Sequence, residues 1–205
     1  MTSSTAIRMT AALLLPLSLA GSTEPTVERF EIDRNHSRMG FAARHMGVAT
    51  VRGHFTDFEG HVLLDTVDIT RSTARVVIET ASISTNNERR DNHLRSDDFF
   101  NAEQYPQIVF EGRHVERDGE QLTLVGDLTI RDVMKEVRIP FELVGPVEVG
   151  GRKRMGAEGE IAVNRKDFKL LFSGLVEGIA VVGDEVRLEV SIEAATPRNQ
   201  EATEG

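Results

Sequence analysis

From Gln121 to Ile130 the chain alternates: Leu122, Leu124, Gly126, Leu128 and Ile130 share one face, and Thr123, Asp127 and Thr129 share the other. Successive side chains of a strand point to opposite faces, so this period of two predicts a half-buried strand. Val137, Ile139, Phe141 and Leu143 repeat it, and so do Val186, Leu188, Val190 and Ile192, opposed by Arg187, Glu189, Ser191 and Glu193. Shorter alternations run through Phe30–Ile32, Met39–Met46, Val51–Phe58, Val62–Leu64, Val76–Ile78, Ile108–Phe110 and Ile161–Val163. Asp118-Gly119, Gly150-Gly151 and Gly183-Asp184 lie between strand candidates and supply the positive φ angles of tight hairpins, which predicts antiparallel neighbours. Only Asn86 to Gln104 departs from the pattern. There Glu88–Arg95 predicts a short polar helix, and Ser96 is a candidate N-cap for a turn through Asp97-Asp98-Phe99-Phe100.

Many short strands at similar spacing predict an all-β domain, either a sandwich or a closed barrel, since closure removes unpaired edges. A barrel of about eight strands either fills its interior with side chains or holds one small ligand, and periodicity leaves both open.

The segment before the first strand has a different character. Residues 1–20 carry Arg8, an apolar run from Met9 to Leu19 and small residues at Ser18 and Ala20, the pattern of a secretory signal peptide cut after Ala20. Residues 21–195 then form the barrel domain, and the aperiodic stretch 196–205 is expected to be a disordered tail. Nothing after the leader is apolar for long enough to span a bilayer as a helix, so the mature protein is expected in the periplasm or outside the cell.

Composition narrows the function. Among 205 residues there are 24 basic and 33 acidic ones, a net charge of -9, which argues against nucleic acid as a partner. With no cysteine there is no disulfide framework, thiolate metal site or cysteine nucleophile. The chain lacks a Gly-x-Ser-x-Gly elbow, a phosphate-binding glycine loop, a dinucleotide fingerprint and a His-Glu-x-x-His helix. Its histidines, at 36, 45, 54, 61, 93 and 114, fit no common metal spacing, so neither a metal nor another cofactor is expected.

A family resemblance emerges from particular residues. Asp33-Arg34-Asn35-His36-Ser37, Phe41, His45-Met46-Gly47 and Gly53-His54-Phe55 with Gly60 open it. Ser82, Thr85, Arg90-Asp91, His93-Leu94, Asp97-Asp98-Phe99-Phe100, Tyr105-Pro106 and Gly126-Asp127-Leu128-Thr129-Ile130-Arg131 continue it, and Arg165-Lys166-Asp167-Phe168 with Gly183-Asp184-Glu185-Val186 close it. In this order, over nearly all of the chain after the leader, the sequence resembles the YceI-like family of polyisoprenoid-binding, lipocalin-like periplasmic proteins. Asp132 stands where the family's glycine is expected, a position at which aspartate tolerates the left-handed region.

The resemblance implies an extended lipocalin-like antiparallel barrel whose apolar channel holds an isoprenoid lipid, such as a polyprenyl phosphate or a quinone, with no catalytic residue. Candidate channel residues are Phe41, Phe55, Val76, Ile78, Ile108, Phe110, Leu124, Leu128, Phe141, Phe168 and Val190. In the insertion, Arg90 and His93 are candidates for the ligand's polar head, with Phe99 and Phe100 covering its tail. The competing reading makes Arg90-Asp91 a structural ion pair, and Arg165-Asp167 is expected to be another. From a different class, a metal-assisted hydrolase or isomerase would use His36, His45 or His93. Pairing into a homodimer is left open.

Overall fold

The computed structural model describes residues 27–176 and 178–198, so the expected leader at 1–20 and the tail from 199 onward lie outside the described residues. In chain order the strands are β1 (Val27–Ile32), β2 (Arg38–His45), β3 (Ala49–Phe55), β4 (Phe58–Asp65), β5 (Thr73–Glu79) and β6 (Ile83–Ser84). The single α-helix among the described residues, α1, spans Glu88–Arg95. Then come β7 (Gln107–Asp118), β8 (Gln121–Ile130), β9 (Val133–Val149), β10 (Arg152–Asn164), the two-residue β11 (Leu175–Val176) and β12 (Ile179–Ala180), and β13 (Val182–Ala195).

Eight strands in the order β1-β4-β5-β7-β8-β9-β10-β13 close on themselves through Glu31 opposite Ala195 and Ile32 opposite Ala194. Of the two alternatives, the chain is therefore the barrel. β13 is longer than β1, and the rest of that edge, Val182–Ser191, pairs with β2, which carries β3 and β6 beside it. β1 and β2 thus share one edge of β13. A 3-10 turn at Arg34–His36 interrupts them, capped by the Asp33 carboxylate accepting from the Asn35 amide.

Register converts the period of two into an inner wall. Leu122 faces Phe141, Phe141 faces Gly159, Gly159 faces Val190, Val190 faces Met39 and Met39 faces Phe55. A second rung joins Val76, Phe110 and Leu128. Phe41 lies opposite Gly53, and its ring occupies the space a side chain there would fill: a Cβ on Gly53 would come within 2.3 Å of Phe41 Cζ. The interior packs tightly at both ends. One cluster gathers Ile83, Phe168 and Leu170 with Phe55 and Ile130, and the other gathers fully buried Phe30 and Ala194 with Leu64 and Met155.

Several local expectations change. Gly119, Gly150 and Gly151 turn their hairpins with positive φ. Gly183-Asp184 does not: it lies inside β13 at a register shift between Val182 and Val186, because Arg165 takes both residues as acceptors there. The tight turn falls earlier, at Gly178 (φ 81°), between β11 and β12. The left-handed residue of the β8–β9 turn is Arg131 (φ 57°) rather than Asp132, whose carboxylate instead accepts from Lys169 Nζ at 2.6 Å. Ser96 closes α1, donating its amide and hydroxyl to the His93 carbonyl, while Asn87 is the N-cap. Thr196, assigned to the tail, is held to β10: its amide donates to the Lys153 carbonyl and its own carbonyl accepts from Arg152 Nε.

Candidate functional site

Between the packed ends the barrel encloses a cavity of about 250 Å³. Phe41, Phe55, Val76, Ile78, Ile108, Phe110, Leu124, Leu128, Phe141, Phe168 and Val190 all line it, and so do Phe99 and Phe100 of the insertion. Met39, Ile139, Ile161, Leu188 and Ile192 also belong to the wall. These five sit in the same alternations as the residues named from the sequence, so inward parity identifies them too.

The insertion reaches one end of this space. Leu94, on the inner side of α1, and the two phenylalanines after it line the cavity. Phe55 meets Phe41 at 6.0 Å and Phe100 edge-on at 6.1 Å, which joins β2, β3 and the insertion through aromatic contacts. Arg131, unremarked in the sequence beyond the family motif, pins this unit to the barrel. Its Nη1 donates to the carbonyls of Phe99 and Lys169, both at 3.0 Å, and the guanidinium lies 5.3 Å from the Tyr105 ring centroid. Its place at the end of the Gly126–Arg131 motif was the signal for it in the sequence.

Arg90 and His93 are absent from the cavity wall. Arg90 Nε donates to the Thr85 hydroxyl oxygen at 2.7 Å and Nη2 donates to the Thr85 carbonyl at 3.0 Å. His93 Nε2 lies 2.9 Å from an Asp98 carboxylate oxygen, and its ring meets Phe99 and Phe172 edge-on at 5.1 and 4.9 Å. The direct Arg90-Asp91 ion pair does not form either, because the Asp91 carboxylate is taken by the Thr85 amide and hydroxyl. Arg90 and Asp91 therefore fasten the chain entering α1, His93 packs against residues that follow the helix, and neither Arg90 nor His93 lines the cavity.

Arg165 is the cation that does line the cavity, with 5% of its side chain exposed. It donates to the carbonyls of Gly183 and Leu170 and to the Asp184 carboxylate at 2.9 Å, so its acidic partner is Asp184 rather than Asp167. Lys166 reaches the same carboxylate and holds Asp184 below the ordinary carboxylate range.

The histidines of the enzyme reading are dispersed. His36 Nδ1 lies 3.0 Å from Asp33 Oδ2, a bond that raises the histidine's pKa and lowers the aspartate's. With Glu193 they are the one group among the described residues whose donor atoms are spaced closely enough for a metal. Glu193 is already paired with Arg154 at 2.5 Å, a fixed positive charge where a cation would sit. His45 Nδ1 contacts the Val181 carbonyl at 2.8 Å, at the far end of β2 from His36, roughly 25 Å away at strand spacing. Among the described residues no histidine lines the cavity, and no helix is long and apolar enough to cross a membrane.

Comparison with known proteins agrees with this geometry. The family model described as YceI-like domain matches residues 30–194. The chain is 34% identical over 175 residues to protein YceI of Escherichia coli O157:H7, covering 85% of this chain and 89% of that protein. The crystal structure of the Campylobacter jejuni YCEI protein superposes with a TM-score of 0.66, over 75% of this chain and 90% of that one, at 29% identity. A polyisoprenoid binding domain from Saccharophagus degradans, implicated in plant cell wall breakdown, has the same fold, with a TM-score of 0.62 over 84% of this chain and 100% of that one at 14% identity. With the domain model running from the first strand of the ring to its closing strand, the chain belongs to the YceI-like family.

Proposed function

We propose that the protein is an exported carrier that sequesters an isoprenoid lipid in its barrel and performs no catalysis. The observation that carries this reading is the cavity wall, which is built almost wholly from aliphatic and aromatic side chains of every strand in the closed ring. Such a wall recognises a tail by burial. About 500 Å² of tail at ~25 cal/mol per Å² contributes about 12 kcal/mol, against association costs of ~4 kcal/mol or more.

The bonding of Arg165 supports an uncharged head group. This cation directs its donors to Gly183, Leu170 and Asp184, and the other candidate cation, Arg90, is outside. A wall without a free positive charge favours an uncharged isoprenoid quinone over a polyprenyl phosphate. The structural neighbour named for polyisoprenoid binding supports the tail class, and residues 1–20 support export to the periplasm or beyond.

Native mass spectrometry of protein purified from an exported fraction tests the reading. The expected result is a mature chain beginning near Gly21 with one isoprenoid lipid bound. A chain that still carries Met1 would overturn export. Protein that binds a metal ion and takes up neither quinone nor prenyl phosphate would overturn the carrier.

A further inference from the structure

The segment between the last 3-10 turn and β13 does two things at once. Phe168, Leu170 and Val182 face the cavity, while Leu171, Leu175, Val176 and Ile179 are exposed. β11 and β12 form a hairpin turned at Gly178, with Leu175 opposite Ala180 and Val176 opposite Ile179. From Leu170 to Val182 the chain carries one charged residue, Glu177, in a protein whose composition is 28% charged.

A second apolar projection stands beside the hairpin. The β2–β3 turn places Val48 at 85% exposure, and the neighbouring Met46 amide donates to the Val181 carbonyl at 3.2 Å. Phe172 packs against Phe99, itself part of the cavity wall, at 4.9 Å. The exposed apolar surface is therefore continuous with the cavity lining at the end of the barrel that carries the insertion. The opposite end differs. Val147 and Val149 flank Glu148, and Val27 precedes Glu28, which is paired with Lys153, so exposed valines there alternate with charges.

We propose that the β11–β12 hairpin and the Val48 turn form an apolar tip that inserts shallowly into a lipid bilayer. The cavity then exchanges its ligand by collision with the membrane and not through water. An exposed apolar patch of this kind marks an interaction site, and a tip with few charges suits the interfacial region of a bilayer. The occupant follows from continuity: the ligand class that suits the wall dissolves in the bilayer and not in water. The exchange step and the continuity argument rest on the carrier reading, whereas the exposed, charge-poor tip does not. Because the protein is acidic overall, docking is expected to be driven by apolar burial, with little dependence on anionic lipid or salt.

The test uses the full exported chain and the double variant Leu175→Ser/Ile179→Ser, both positions being exposed and outside the cavity wall. Flotation with phosphatidylcholine vesicles, with and without phosphatidylglycerol, measures docking, and a dansyl-labelled isoprenoid alcohol reports transfer. The expected result is flotation of the wild type in both compositions and at least a tenfold loss in the variant, with unchanged melting temperature. Transfer should rise in proportion to acceptor vesicle concentration for the wild type only, at equal probe occupancy. Wild type that does not float, or a variant that floats equally well, overturns the proposal. So does a wild-type dimer that the variant splits, since the tip would then be a self-interface. Flotation lost in the variant while neither protein takes up any probe supports docking and defeats the carrier reading instead.

Discussion

Asp91 holds Thr85 twice: one carboxylate oxygen accepts both the Thr85 amide, at 2.8 Å, and the Thr85 hydroxyl. Both residues are buried, and Arg90 grips the same threonine through its hydroxyl oxygen and carbonyl. The polar cluster singled out in the sequence is therefore a clamp on the chain entering α1.

Asp91→Ala strands a buried amide and hydroxyl and should cost about 2–3 kcal/mol. Asp91→Asn, which retains an acceptor, should cost less. Arg90→Ala should weaken a prenyl phosphate and a neutral isoprenoid equally, because its effect passes through the position of Phe99 and Phe100. Urea denaturation alongside titration of both ligands checks this, and a loss confined to the phosphate would restore Arg90 as a head-group ligand.

Phe110 stands between Val76 and Leu128 in the inner wall. Phe110→Asp puts a carboxylate without a partner into an apolar cavity and should abolish lipid retention. Phe110→Ala should retain lipid and lower stability by ~3 kcal/mol. Native mass spectrometry of a folded Phe110→Asp protein at full lipid occupancy would move the ligand elsewhere.

Gly53→Ala should destabilise the fold by about 1–3 kcal/mol, since the new methyl group meets the Phe41 ring and the Ser84 carbonyl, and both must shift. The Phe41→Leu background, by vacating ring atoms, should recover part of the loss. A double-mutant cycle measures that coupling, and strict additivity would refute the contact as its source.

Acid stability should depend on Asp65. The amide of Asp68 first, then that of Val67 and the Arg71 guanidinium, hold its carboxyl below the ordinary carboxylate range. A depressed folded-state pKa gives stability that is present above the unfolded value and lost as pH falls through the folded one. Melting temperature should therefore decline below about pH 4, with a flatter profile for Asp65→Asn. His36 has the opposite sign: raised by Asp33, its contribution is present in mild acid and lost as pH rises above the ordinary histidine value.

The apolar half of the cavity was legible because a strand's parity assigns each side chain to a face, and every aliphatic and aromatic residue chosen on parity or position does face inward. Polar residues carry no such parity. Arg90, His93 and Arg165 lie in turns and short helices, where the partner is set by the path of the backbone, and Thr85 and Asp184 became partners of the two arginines through contacts that spacing does not encode. Gly183-Asp184 misled for a related reason. A glycine pair marks either a turn or a bulge, and Arg165, far earlier in the chain, decided between them.

The join between β1 and β13 sets the order of events by which the protein is made. Ser37 and Glu193, 156 residues apart, exchange hydrogen bonds beside the seam, so the ring closes only after the last strand has been made. Closure across so long a separation is the kind of non-local pairing that is slow and exposed to aggregation. Until Ala195 arrives, the apolar inner wall therefore has no closing strand to complete it.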